Sequence, residues 1–196
     1  MGKKFLDDDT LLVTKSKQGD KSAFDVLVIK YQDRVFNVVF RLTSDESLAY
    51  DLVQDTFINA YRGLKNFKGH STFFTWLFRI AINTATNSRR KRMRNKTISI
   101  SKFEGKNDEG WFDPASNDKG PSQKAEEVEQ TVIVQQAINS LEEPYKTAII
   151  LRDIEGMSYE EMQEILECPI GTVRSRIHRA RNLVKEKLEA TLNNFG

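Results

Sequence analysis

Arginine, serine and histidine recur on one face of the stretch SYEEMQEILECPIGTVRSRIHRARNLVKEKL, residues Ser158 to Leu188. At about 100° per residue, Gly171, Arg174, Ser175, His178, Arg179 and Asn182 line up together. These side chains donate hydrogen bonds and carry positive charge, and Gly171 leaves room at the start of the face. An arginine can donate two hydrogen bonds to one guanine edge in a DNA major groove. The opposite stripe, Ile170, Val173, Ile177, Ala180, Val184 and Leu188, is apolar at helical spacing. Ahead of it, Ser158 and Glu161 form a capping box for a first helix. Cys168 and Pro169 punctuate a tight turn, and proline suits the start of the second helix. Two helices across such a turn are a helix-turn-helix, which can place its second helix in a groove. The competing reading is a solvated basic helix at the end of a bundle.

A second constellation lies upstream. On a helix expected from Phe73 to Arg94, one face carries Trp76, Arg79, Asn83, Asn87, Arg90 and Arg94. The helix runs into RRKRMRNK, with six basic residues among the eight from Arg89 to Lys96. Rings for stacking, amides for base edges and cations for phosphates are the needs of a single-stranded nucleic-acid site. Phe73, Phe74 and Trp76 can equally serve as core, and for two of the three that is the reading adopted. A third face, on the helix before it, brings together Asp51, Gln54, Asp55 and Ile58 at spacings of three and four. An isoleucine among acids and amides suits a protein docking surface. A solvated face with one stray apolar residue is the alternative.

Catalytic groupings are thin. The two histidines, His70 and His178, fall in different expected domains, and one cysteine, Cys168, excludes a CxxC zinc ligand pair. No GxxxxGK[ST] or GxGxxG loop is present to cradle phosphate. Glu142–Glu143 and Glu160–Glu161 sit at helix starts, where they favour the helix dipole. No enzyme and no cofactor are expected. A single cysteine also excludes an internal disulfide and suits a reducing cytoplasm. The hydrophobic share of 39% supports packed cores, and no apolar run reaches the roughly 20 residues of a membrane span. The start MGKKFLDDDT has no apolar signal core, and Leu6 stands where a myristoylation signal needs Ser or Thr.

The elements that must position these groups are all helical. Asp7 to Asp9 and Thr10 open a short helix to about Gln18, broken by Gly19 and Asp20. A long helix follows from Lys21 to Leu42. Ser44 is expected to cap a third, to about Leu64, whose core stripe is Leu48, Leu52, Thr56, Ala60 and Leu64. KNFKGHST forms a loop. Thr97 to Pro121 is rich in glycine, proline and acids and reads as a flexible acidic linker, with Trp111 and Phe112 as odd members. Further helices are expected from Ser122 to Ser140 and from about Pro144 to Ile154. No strand pattern survives. The fold class is all-α: an N-terminal domain over 1–95, a linker over 96–125 and a helix-turn-helix domain over 126–196. Net charge is only +2, so the segregation of charge along the chain says more than its sum.

With these residues in hand, the chain resembles bacterial extracytoplasmic-function RNA polymerase sigma factors, in particular the sigma-E-like group. DLVQDTFINAYRGLKNFKGHSTFFTWLFRIAINTA resembles that family's second conserved region, and LRDIEGMSYEEMQEILECPIGTVRSRIHRARNLV its fourth. KQGDKSAFDVLVIKYQDRVFNVV looks like its opening. The resemblance implies a noncatalytic specificity subunit that binds core RNA polymerase, directs it to promoters and helps melt them. It implies that Asp51, Gln54, Asp55 and Ile58 meet the polymerase. It places Gly63, Leu64, Phe67 and Asn83, with Trp76, Arg79 and Arg90 nearby, at the single-stranded minus-ten element. Arg174, Ser175, His178 and Arg179, with Arg152 on the preceding helix, would contact the duplex minus-thirty-five element. The linker would thread the polymerase cleft. A membrane-bound anti-sigma factor is an expected partner, the free chain a monomer and the location cytoplasmic, at the inner membrane when captured. Two departures stand out: His178 replaces an aromatic of close relatives, and RRKRMR is unusually dense. A duplex-binding helix-turn-helix regulator, usually dimeric on a palindrome, is the alternative.

Overall fold

The computed structural model describes residues 3–98 and 131–194. They belong to two compact units, and no strand occurs among the described residues.

The N-terminal unit contains α1 (Lys3–Lys17), α2 (Lys21–Thr43), α3 (Glu46–Gly63) and α4 (Phe73–Ile98), with a short 3-10 turn (Leu64–Asn66) after α3. Gly19 ends α1 at φ 101°, a conformation that glycine adopts without Cβ strain. Asp20 then caps α2, accepting from the Ala23 amide at 3.2 Å. Apolar positions of α2 face inward: Leu27, Val35, Val38 and Val39 are fully buried. The stripe of α3 does the same through Leu52, Thr56 and Ala60, and α4 adds Leu77, Phe78 and Ala81. Leu48 is only half-buried.

The cap of α3 differs from the expectation. Ser44 is the C-cap of α2, in the left-handed region at φ 55°, and Asp45 caps α3 by accepting from the Leu48 amide at 2.9 Å. Two helices meet across two residues, so one must close the first and the other open the second. The aspartate also binds Arg92 Nη1 at 3.0 Å, so the basic end of α4 is tied to the start of α3.

A polar knot joins α1 to α2. The carboxylate of Asp9, 9% exposed, accepts from the Tyr31 hydroxyl and from Lys30 Nζ at 2.5 Å. A buried carboxylate without such donors would cost several kcal/mol. Tyr31 also packs its ring against Phe73 and Phe74 at 5.9 Å each, so the knot reaches the start of α4. Burial and the Asp9 hydrogen bond push the Tyr31 hydroxyl above its ordinary pKa.

In the C-terminal unit, a helical stretch over 131–139 (α5 in its described part) precedes α6 (Glu143–Ile149), α7 (Tyr159–Leu166) and α8 (Ile170–Asn194). The single helix expected to Ile154 instead becomes a π turn, Ile150–Ile154, in which the Glu155 amide donates to the Ile150 carbonyl at 3.0 Å. Gly156, at φ 68°, follows it in the left-handed region that glycine adopts freely. The core is Leu141, Ile149, Leu151, Met157, Met162, Val173, Ile177 and Ala180, all buried. Ile170, Val184 and Leu188, expected in the same stripe, are half-buried. The acidic linker expected over 96–125 lies outside the described residues from 99 onward, together with Trp111 and Phe112, and so does the expected helix before 131.

Candidate nucleic-acid interface

The helix-turn-helix forms as its sequence requires. The Ser158 hydroxyl accepts from the Glu161 amide at 3.1 Å, and Glu161 accepts from the Ser158 amide at 2.8 Å, a reciprocal capping box. The turn differs in one detail: Glu167 takes the left-handed conformation at φ 49°. Pro169 precedes α8, and its carbonyl accepts from the Thr172 and Val173 amides. With Val173, Ile177 and Ala180 buried, Arg174, Ser175, His178 and Arg179 emerge together on the exposed side. A Cβ at Gly171 would meet nothing within 4 Å, so the start of this face is open.

Arginines here are steadied by rings. Arg152 donates from Nη1 to the Met157 carbonyl at 2.5 Å and lies over the Tyr159 ring at 4.8 Å. Arg174 lies over the same ring at 5.6 Å, and Arg179 over Tyr145 at 5.4 Å. Asp153 grips Arg181 with both oxygens, at 2.9 and 2.5 Å, joining the π turn to α8. That bidentate bond raises the Arg181 pKa. Tyr159 and Tyr145 escaped the sequence reading. Fifteen residues separate Tyr159 from Arg174, and no periodicity connects them.

In the N-terminal unit a second surface gathers around Phe67. Its ring packs on Trp76 at 4.9 Å and meets Phe73 edge-on at 6.3 Å. Gly63 lies against the same indole: a Cβ there would stand 3.3 Å from Trp76 Cζ2. Phe67 and Trp76 are half-buried, and Phe73 is buried. Leu64 departs from the expectation of a contact residue. At 2% exposure its side chain belongs to the core beneath the loop, because it ends the apolar stripe of α3. Asn83 and Arg90 are exposed on α4 and Arg79 is half-buried. Seven residues of helix carry Asn83 about 10 Å beyond Trp76, and Arg90 lies about 10 Å further. Sequence reading also missed Lys17. Its Nζ donates to the Phe67 carbonyl and lies 5.4 Å from that ring's centroid.

Asp51, Gln54 and Asp55 are exposed, and Ile58 is 40% exposed. Asp51, Gln54 and Ile58 line an open groove of about 620 Å³ between α2 and α3, shared with Phe24, Val28, Tyr50 and Tyr61. Both tyrosines are exposed. The groove is therefore lined largely by apolar and aromatic side chains, with Asp25 of α2 and Asp51 and Arg62 of α3 among them.

A helical unit whose helix-turn-helix exposes a basic face on its second helix has the architecture of a DNA-binding domain. The Sigma-70 region 2 family matches residues 27–95, and the Sigma-70, region 4 family matches 131–184. The RNA polymerase sigma-H factor of Pseudomonas aeruginosa is 43% identical over 94% of this chain and 95% of its own length. The ECF RNA polymerase sigma-E factor of Haemophilus influenzae is 42% identical over 92% of this chain and 95% of its own. Among solved structures, the sigma factor RpoE of Bartonella quintana, in complex with the anti-sigma factor NepR, is similar with TM-score 0.68. It is 31% identical over 85% of this chain and 96% of that one. The chain belongs to the sigma-70 family, with regions 2 and 4 in its two units. It is a transcription initiation factor and not an enzyme.

Proposed function

We propose that the two surfaces divide promoter recognition between them. Arg174, Ser175, His178 and Arg179 read the duplex minus-thirty-five element from α8, with Arg152 holding the approach. Gly63, Phe67 and Trp76 receive an unpaired base of the minus-ten element over the buried Leu64. Asn83 reads an edge, and Arg79 and Arg90 follow phosphates. Asp51, Gln54, Asp55 and Ile58, with the apolar groove beside them, dock on core RNA polymerase. The observation that carries this reading is the coexistence of the exposed α8 face with the Phe67–Trp76–Gly63 cluster. A regulator of duplex DNA needs the first and has no use for the second, because unpaired bases never reach it.

The regulon belongs to an envelope or extracytoplasmic stress response, as the likeness to sigma-E factors suggests. The partner that restrains the chain is an anti-sigma factor, membrane-bound, which holds an otherwise cytoplasmic monomer at the inner membrane. The Bartonella quintana relative with its anti-sigma factor supports such a partner. No helix among the described residues is long and apolar enough to cross a membrane, so attachment would come through that partner. Mixing the purified chain with core polymerase on a sizing column tests the central claim. Co-elution and promoter-dependent transcripts from the reconstituted enzyme are expected. A free dimer on a palindromic duplex, with no co-elution, would replace it by the regulator reading.

A further inference from the structure

Lys17 lies outside the matched region 2 segment, which begins at residue 27, yet it is attached to the loop after α3. It is the last residue of α1. Its Nζ donates to the Phe67 carbonyl, and the same ammonium lies 5.4 Å from the Phe67 ring centroid. One cation thus holds both the main chain and the side chain of one loop residue. Phe67 has few other restraints on its backbone: its amide donates to the Leu64 carbonyl at 3.1 Å, and it then leaves the 3-10 turn extended at φ −68°, ψ 111°. The ring is also held by Trp76 and Phe73.

The other end of this tether is firm. Lys17 sits on α1, and α1 is bonded to α2 through Asp9, Lys30 and Tyr31. At its C-terminal end, the Gln18, Gly19 and Asp20 amides all bond back to carbonyls of α1. Displacing the Phe67 carbonyl would therefore mean breaking a charge-assisted hydrogen bond, the stronger kind, or moving a helix.

We propose that Lys17 is a positioning residue for minus-ten recognition: by clamping the carbonyl and ring of Phe67, it sets the aromatic cluster that selects the unpaired base. The inference rests on the reading of Phe67 and Trp76 as the base-receiving surface. Lys17 does not itself touch the base. It acts by narrowing the orientations of Phe67, so its effect appears in selectivity between bases and not in affinity for DNA as such. An ammonium that served as a phosphate contact would do the reverse, weakening all sequences alike and making binding less salt-dependent on removal.

The test uses holoenzyme assembled from the full chain and core polymerase. Lys17→Met, Lys17→Arg, Lys17→Gln and Phe67→Ala variants are compared with the parent chain. The probes are promoters premelted across the minus-ten element, with each of its nontemplate bases substituted in turn. The readout is the ratio of binding to matched and substituted probes. Phe67→Ala should abolish discrimination at one position. Lys17→Met and Lys17→Gln should reduce it there about three- to tenfold, the scale of the net contribution of an ordinary hydrogen bond. Lys17→Arg should restore at least half of it, and core binding should not change. If Phe67→Ala loses discrimination while Lys17→Met and Lys17→Gln keep it, the Lys17 proposal is overturned and the surface assignment stands. Equal weakening for every base with a reduced salt slope would make Lys17 a phosphate contact and also overturn it. If Phe67→Ala keeps full discrimination, the surface assignment fails and the proposal falls with it.

Discussion

The two units present their proposed DNA-binding groups in opposite ways. In the C-terminal unit the groups come from one straight helix. Arg174 and His178 are four residues apart, hence about one turn, and the guanidiniums rest on the rings of Tyr159 and Tyr145. In the N-terminal unit they come from three pieces: Gly63 at the end of α3, Phe67 in the loop and Trp76 in α4. Rings there pack on one another, and a single lysine ties the loop down. A duplex offers base edges at regular intervals, so a rigid helix with long cationic side chains can meet them. An unpaired base offers a face as well as an edge, and holding a face takes a concave site assembled from separate segments. One helix can carry the first kind of recognition by itself. The second depends on how several segments are held together.

That contrast is open to direct attack. The largest effect is expected from Phe67→Ala combined with Asn83→Ala. Loss of stacking alone is worth about 1–3 kcal/mol per base, and loss of an edge contact adds to it. Open-complex formation should fall by well over tenfold on a matched promoter and recover in part on a template premelted at the minus-ten region. Permanganate reactivity of unpaired thymines measures both. Normal reactivity on both templates would leave the loop with a packing role and erase the contrast.

Next comes a pair of arginines. Arg174→Ala should cost on the order of 1–3 kcal/mol and relax preference at one base pair of the minus-thirty-five element. Arg152→Ala should weaken all duplexes alike, because its guanidinium is already bonded to the Met157 carbonyl and held over Tyr159. Competition binding against a panel of singly substituted duplexes separates the two patterns. Should Arg152→Ala also relax one base pair, the ring-held arginines would not be divided into reader and brace.

A smaller effect is expected at the third surface. Reversing charge at Asp51 and Asp55 together should weaken core polymerase binding by about tenfold, on the order of 1.4 kcal/mol, with helix content unchanged by circular dichroism. Undiminished competition for core polymerase would move docking elsewhere. The smallest concerns the frame under the N-terminal surface. The Leu48 amide first, and Arg92 second, hold the Asp45 carboxyl below the ordinary carboxylate range. Its contribution is thus fully present above the unfolded-state value of about 4. It is lost as pH falls through the lower folded-state value. Asp45→Ala should cost about 1 kcal/mol through the lost cap. Asp45→Asn should keep the cap and flatten that acid limb, as thermal melts across acidic pH would show.

Much of the site was legible before any coordinates because helical periodicity couples sequence to surface. Once Val173, Ile177 and Ala180 are assigned inward, Arg174, His178 and Arg179 can only face outward, and they do. The Ser158–Glu161 capping box and the glycine at 156 are likewise local, since their bonds close within a few residues. Asp51, Gln54, Asp55 and Ile58 were found together for the same reason.

What tertiary structure decided is every partnership across long separations. Leu64 was open to two readings, the end of the α3 core stripe and a contact residue of the loop, and packing decides for the first. Ser44 closes α2 and so leaves the cap of α3 to Asp45, whose second partner, Arg92, lies 47 residues away. Lys17 meets Phe67 across 50 residues, and Arg152 and Arg174 meet on Tyr159 from either side of a turn. Local sequence determines which side chains a helix turns outward, because the backbone repeat is fixed by its own hydrogen bonds. It does not determine which of them touch, because that depends on how whole helices pack, and packing is a property of surfaces drawn from the entire chain.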